Sequence, residues 1–391
     1  MSDIAIGRTR EANYNSTAAD AYASYERDID SLLRCSARIG RDLLLIQASS
    51  GNTSLKVNGT LWIKASGKWL ANAGQQELLV PVSLSECLEC FSQGRPLTTC
   101  IVTSRGERLR PSIETFMHAV LPHRSVIHVH CVNTLAWAVR ADAPARLAER
   151  LSGMRWMWIP YVSSGLPLAR EIQLASANCP DATVFVLGNH GLVVCGESCE
   201  AAASVLSEVQ RCLAIDTRSA SKPKIKLLER IRGISSWRLP DSDTLHALGT
   251  DLMSRQILEG GILYPCQAIF LGQNPVTLRV PEDKFGLRRA IDPLDASRPF
   301  LLVEECGILI NSEITAVELA VLRGLAEVVR RIEPAAPIRY LSDPEVTSLL
   351  EADSHLYRAS AENGCNSIYG YKHRGEADHH RADIETRRRS P

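Results

Sequence analysis

The stretch SVIHVHCVNTLAWAV, residues 125–139, reads as a buried β-strand running into a helix. It carries His128 and His130 with one residue between them, in a chain with only ten histidines. On a strand, residues i and i+2 point to the same face. Two imidazoles side by side on one face have two readings: core histidines satisfied by hydrogen bonds, or part of a site for a divalent ion. Zinc takes His nitrogens at about 2.0–2.1 Å, and catalytic sites combine three protein ligands with an open position.

A third histidine bears on that choice. His190 lies in FVLGNHGLVVCG, after one apolar strand and before another, between Asn189 and Gly191. The tip of a buried strand–turn–strand is a poor place for an unpaired polar group. It is a good place for a ligand brought up against another strand. Glu114 lies fourteen residues before His128, in the helix-like PSIETFMHAV. A carboxylate there completes a metal shell or works beside it as acid or base.

Outward from these motifs, strands and helices alternate. Residues 18–40 have helical spacing of Ile29, Leu32 and Leu33. Thr53–Val57 and Thr60–Ala65 flank Asn58-Gly59, the strongest short hairpin signal, because both turn residues need φ > 0. A helix is predicted over 112–122, a strand over 125–131, strands in WMWIPYVS and ATVFVLGNHGLVVCG, and a long amphipathic helix over Glu200–Ile215. Such alternation, with mostly antiparallel potential, predicts a layered α/β fold over 20–220. The polar, proline-bearing DTRSASKPKIK (216–226) is the linker candidate. A second, smaller α/β lobe is expected over 225–360, with LYPCQAIFLG as one of its strands. HGLVVCGESCEAAASVLSEVQRCLAI and CGILINSEITAVELAVLRGLAEVVRRI share a Gly, an apolar strand, a polar turn with Glu and an amphipathic helix. They are either a degenerate repeat or two similar units, and Cys306 stands where His190 stands. Residues 361–391 lack apolar periodicity and are expected to be disordered.

Composition excludes some classes. Lys+Arg and Asp+Glu both number 44, so nothing global points to nucleic acid or an anionic membrane. No apolar run approaches the roughly 20 residues that span a bilayer, and the first residues lack an apolar signal region. A cytoplasmic location follows as an expectation, with the twelve cysteines reduced and mostly structural. Cys87 and Cys90 have zinc-ribbon spacing, but no second pair follows and their surroundings are helix-like.

The separated motifs together resemble the class II aldolase/adducin family over roughly 25–220. SGNTSLK resembles its Gly-Asn-x-Ser loop, IKASGKWL its Ser-Gly segment, PSIETFMH the segment bearing its catalytic acid, HVH its paired metal histidines and NHG the third. GILYPCQAIFLG resembles a C-terminal extension of bacterial predicted aldolases. The resemblance implies a three-layer α/β/α fold with a mostly antiparallel central sheet, and a homo-oligomer, often a tetramer. It implies zinc, or another divalent ion such as Mn or Co, on His128, His130 and His190. Glu114 would be acid/base or fourth ligand, and the ion would stabilise an enediolate next to a substrate carbonyl. Gly51, Asn52, Ser66, Gly67 and Ser112 match loops that receive a substrate anion, while Ile113 replaces a second Ser of some sugar-phosphate members.

The expected activity is a metal-dependent lyase acting on a small sugar, sugar phosphate or sugar acid. Epimerisation, dehydration and decarboxylation use the same type of site. A non-catalytic adducin-like role, and a Schiff-base mechanism on Lys64 or Lys68, are the other classes weighed.

Overall fold

In the computed structural model the described residues are 23–97, 109–233, 235–272, 275–281, 289–291, 298–351 and 354–364. The Asn58-Gly59 turn forms as the sequence predicts. Both residues have positive φ, 50° and 76°, and Val57 pairs with Thr60 across them. That hairpin joins β1 (Asn52–Val57) and β2 (Thr60–Lys64). The sheet continues with β3 (Leu79–Ser83), β4 (Ser125–Val129), β5 (Trp156–Ile159), β6 (Val184–Leu187) and β7 (Gly191–Gly196). The seven strands lie in the order β3-β2-β1-β4-β7-β6-β5. Every pairing is antiparallel except β5 with β6.

The strand alternation puts a helical layer on each face. Leu55, Ile127, Val129, Val186, Leu192 and Val194 face a helix over 23–40 (α1), and face α4 (Val132–Ala138), α5 (Ala143–Arg150) and α7 (Cys199–Cys212). Ile63, Val80, Val126, Phe185, Val193 and Cys195 face α2 (Leu84–Ser92), α3 (Thr115–Val120) and α6 (Leu166–Asn178). The result is the expected three-layer α/β/α arrangement.

The second lobe contains α8 (Ile225–Arg232), α9 (Asp243–Thr250), α10 (Leu252–Gly260), α11 (Ala316–Val329), α12 (Asp343–Glu351) and α13 (Ser354–Gly364). Its sheet has β8 (Trp237–Arg238), β9 (Thr277–Leu278), β10 (Phe300–Val303) and β11 (Gly307–Asn311), in the order β8-β11-β10-β9. β9 and β10 are parallel and the other pairs antiparallel. Strands β4-β7-β6-β5 of the first sheet have the same order and the same senses.

The lobes share one core. Val132, Leu135, Ala136 and Val139, in and just after α4, cluster with Val321, Leu322, Leu325 and Val328 of α11. The proline-bearing connection is tied down at Arg218, which donates to the Val329 carbonyl at 3.0 Å and pairs with Asp251 at 2.8 Å.

LYPCQAIFLG is not a strand. Gln267–Leu271 form a π-helical turn, buried at every residue. A short segment that is apolar on all sides has no period to distinguish strand from helix, and Pro265 suits the start of a helical turn. The Cys87–Cys90 pair lies on α2, buried, without further metal-binding groups among the described residues. Cys90 is disulfide-bonded, so the expectation of uniformly reduced thiols fails there, although nine other described cysteines are free. Of the expected disordered tail, 361–364 end α13, and 365–391 lie outside the described residues.

Candidate metal centre

β4 alternates Val126 and His128 toward α3 and α6, Ile127 and Val129 toward α4 and α7. His130 follows just past the strand end, two residues from His128. β7 runs beside β4 with His128 opposite Val193 and Val129 opposite Leu192. The turn between β6 and β7 is tight, with Leu187 paired to Gly191 and Asn189 in the left-handed region at φ 51°. It delivers His190 against the other two rings. Gly191 permits the approach: a Cβ there would stand 2.5 Å from the Val129 carbonyl oxygen, 3.2 Å from the His130 ring and 3.4 Å from the His128 ring.

The three rings are buried, with centroids 4.9–5.0 Å apart. One nitrogen from each lies within 4.8 Å of the others, and no other such group occurs among the described residues. The His128 Nδ1–H donates to the Leu192 carbonyl at 3.0 Å. A carbonyl only accepts, so this fixes the tautomer and leaves Nε2 with a free lone pair. That Nε2 lies 3.1 Å from His130 Nε2. Burial pulls His128 to about 4 and His130 well below its usual value, so neither ring is charged at neutral pH. Three imidazoles converging on one point, beside a carboxylate, fit a first-row divalent ion with an open position.

Glu114 sits at the edge of this cluster. Its Oε2 is 3.4 Å from His128 Nε2 and its Oε1 is 3.2 Å from His190 Nε2. Burial alone would raise this carboxyl, but His128, His190 and His130 outweigh it and hold it well below the usual carboxylate range. Asn52 Nδ2 donates to Glu114 Oε2 at 2.8 Å and to Ser112 Oγ at 3.0 Å. Ser164 Oγ donates to Oε1 at 3.4 Å.

Asn52 is itself held by His118. The His118 ring bonds through Nε2 to Asn52 Oδ1 and through Nδ1 to Ser54 Oγ, the latter at 2.7 Å. Burial pulls this ring down to about 3. A neutral His118 donating from Nε2 fixes which end of the Asn52 amide faces Glu114. Sequence reading gives His118 no role. Its one available signal was position, four residues after Glu114 and hence one helical turn away.

The expected anion-binding residues therefore divide. The Asn52 amide is committed to Glu114, and the Ser112 hydroxyl oxygen accepts from Asn52 and from the Glu114 N–H. Gly51 is buried against β4, where a Cβ would stand 2.6 Å from the His128 carbonyl oxygen. Ser66 and Gly67 lie next to Ser112 through the Ser66 N–H to Arg110 carbonyl bond (2.8 Å) and the Ser112 N–H to Lys64 carbonyl bond (3.2 Å). They are covered by α13, whose Ser360 hydroxyl donates to the Ser66 carbonyl at 3.1 Å. Lys64 is 2 % exposed, donates to the Ser49 carbonyl at 2.9 Å, and is pulled by burial to about 7, with Glu114 opposing. It has the depressed amine a Schiff-base lysine needs, beside an intact histidine set that such a mechanism does not use.

The second lobe reaches the centre, which sequence reading does not anticipate. Cys266 Sγ is 3.4 Å from His130 Nδ1. The Asn189 amide donates to the carbonyls of Leu263 (2.8 Å) and Arg339 (2.7 Å), which clamps the turn beside His190.

Residues 31–217 match the family model of the class II aldolase and adducin N-terminal domain. Over 194 residues the chain is 30% identical to the uncharacterized oxidoreductase YuxG of Bacillus subtilis (strain 168), covering 46% of this chain and 28% of that protein. It thus spans well under half the length of this curated relative. Among solved structures, the N-terminal class II aldolase domain of a conserved protein from Thermoplasma acidophilum is 25% identical, with a TM-score of 0.42, over 48% of this chain and 94% of that one. A sugar-phosphate aldolase from Thermotoga maritima is 12% identical, with a TM-score of 0.39, over 56% of this chain and all of the other. No helix among the described residues is long and apolar enough to cross a membrane.

Proposed function

We propose that the protein is a metal-dependent lyase of the aldolase type, making or breaking a C–C bond next to the carbonyl of a small sugar, sugar phosphate or sugar acid. The observation that supports this best is the convergence of three buried imidazoles on one point with the Glu114 carboxylate 3.2–3.4 Å from two of them. His128, His130 and His190 would hold zinc, or Mn or Co. When bound, such an ion supplies Lewis acidity to the oxygens flanking the reacting carbon.

The chain's own groups do the rest. Glu114, ionised and aimed by Asn52, takes a proton from the substrate and returns it. His118 holds Asn52 so that its amide, and not its carbonyl, faces that carboxylate. Burial of the whole set keeps bulk water from competing for the proton. With the Asn52 amide committed to Glu114 and Ile113 in place of a second Ser, fewer side-chain donors are left for a dianionic phosphate, which favours a sugar or sugar acid. Epimerisation, dehydration and decarboxylation draw on the same groups and are the alternative activities. A retained ligand set argues against a purely structural, adducin-like role. The protein is further proposed to work as a cytoplasmic homo-oligomer on a small molecule, without nucleic-acid or membrane partners.

Metal analysis of purified wild-type protein beside His130→Ala and His190→Ala tests the centre. About one transition-metal ion per wild-type chain, lost in both variants, is expected from a three-histidine site. Wild-type protein without such an ion, and without any uptake on its addition, refutes the proposal. A retro-aldol screen of sugar phosphates and sugar acids with product detection then identifies the substrate.

A further inference from the structure

His130 differs from His128 in what lies behind its ring. The Nδ1 of His128 faces a backbone carbonyl, which only accepts and locks the ring with Nε2 free. The Nδ1 of His130 faces the Cys266 sulfur at 3.4 Å. A thiol accepts an N–H or donates an S–H. If it donated, His130 would carry its proton on Nε2, the nitrogen that points at His128 Nε2 from 3.1 Å, and the site would be blocked. A bound ion requires the other arrangement, with Nδ1–H donating to sulfur and Nε2 free. The sulfur lies on the far side of the ring from the convergence point, and it does not belong to the group of mutually close ligand atoms.

Cys266 is held there by its own segment. It opens the π-helical turn Gln267–Leu271, an element that recurs at functional sites. The Gln267 side chain accepts from the Leu263 N–H at 2.9 Å, and the Leu263 carbonyl accepts from Asn189 beside His190. The five residues Leu263–Gln267 thus touch the surroundings of two metal-site histidines at once. On the opposite side, the Gln47 amide donates to the His130 carbonyl at 2.6 Å, so the backbone of His130 is fixed independently of its ring.

We infer that Cys266, supplied by the second lobe, is a positioning residue of the metal centre: its sulfur accepts the Nδ1–H of His130 and holds that ring with Nε2 free for the ion. The second lobe is then a working part of the centre and not an appended module. This rests on the metal-site reading above, and the test separates the two.

Metal affinity is measured by competition with a chromogenic chelator for wild type, Cys266→Ala and Cys266→Ser, and the absorption spectrum of the Co(II) form is recorded for each. Unfolding of the metal-free proteins shows whether the variants fold. Loss of such a partner weakens metal binding by about 10–100-fold. The expected result is a loss of that size for Cys266→Ala with a shifted Co(II) ligand-field band, and substantial recovery in Cys266→Ser, whose hydroxyl also accepts an N–H. Equal affinity and identical spectra in wild type and Cys266→Ala overturn the inference while leaving the metal site intact. A thiolate-to-cobalt charge-transfer band in wild type that vanishes in Cys266→Ala also overturns it, since the sulfur would then be a ligand. A wild-type protein that binds no ion overturns both readings.

Discussion

Gly191→Ala tests the geometry of the centre without touching a ligand. A Cβ at this position meets the Val129 carbonyl oxygen at 2.5 Å, where real contacts essentially never fall under 3.0 Å. Because that neighbour is backbone, β7 and β4 must move apart by at least about 0.5 Å, more than twice the ±0.2 Å tolerance of metal–ligand distances. His190 immediately precedes the strand that moves, and the strand it moves from carries His128. Overpacking of this kind costs about 1–3 kcal/mol, and loss of ligand geometry is expected to weaken metal binding by at least about tenfold. Thermal unfolding of the metal-free protein reads the first effect and chelator competition reads the second. The expected result is a lower Tm together with weaker metal binding. A Gly191→Ala protein with wild-type Tm and wild-type affinity would show that the two strands do not meet as described, and the three-histidine assignment would lose its basis.

Two further outcomes follow from the groups around the ligands. Glu114→Gln should keep the bound metal and lower kcat by about 10²–10⁴-fold, the usual worth of a positioned acid/base group; a loss under about tenfold removes Glu114 from that role. Metal-free stability should fall as pH drops from the usual histidine value of about 6.5 toward 4, where His128 titrates in the fold. His118 and His128 have depressed folded values, so the unfolded chain takes up protons there that the folded protein does not. Stability is therefore full above the unfolded value and is lost below it, at on the order of 1 kcal/mol per pH unit for each such ring. Urea unfolding across this range in the presence of chelator reads the slope, and His118→Gln should make it shallower; a flat profile in the wild type contradicts the burial of neutral imidazoles.

The parts of this molecule legible in its sequence are those encoded by short-range pattern. Asn58-Gly59 announces its hairpin because two consecutive residues must adopt positive φ. His128 and His130 announce a shared face because the strand period is two. Asn189-His190-Gly191 announces a tight turn between apolar runs. What stayed hidden depends on contacts between distant segments. Asn52 and Glu114 meet across sixty-two positions, and Cys266 and His130 across 136. No local period reports either. The π-helical turn reads as a strand in the sequence for a related reason. A segment buried on every side is apolar on every side, so its composition reports burial and says nothing of its backbone.

The second sheet clarifies what the NHG turn does. In the first lobe, β6 and β7 are joined through Asn189 at φ 51°, His190 and Gly191; in the second, β10 and β11 are joined through Glu305 at φ 56°, Cys306 and Gly307. Leu187 pairs with Gly191 as Val303 pairs with Gly307. The strand order and senses around the two turns also agree. The backbone device is therefore independent of metal: a left-handed residue and a following glycine suffice to bend the chain, whatever side chain stands between them. The strand beside the second turn, β11's neighbour β8, sets Arg238 opposite Ile310 and Trp237 opposite Asn311, as β4 sets Ile127 opposite Val194 and Val126 opposite Cys195. The second lobe keeps the backbone frame of the turn, and no second metal-binding group occurs there among the described residues. Its contact with the chemistry comes instead from outside its sheet, through the Leu263–Gln267 segment and Arg339 reaching across the shared core to His130 and Asn189.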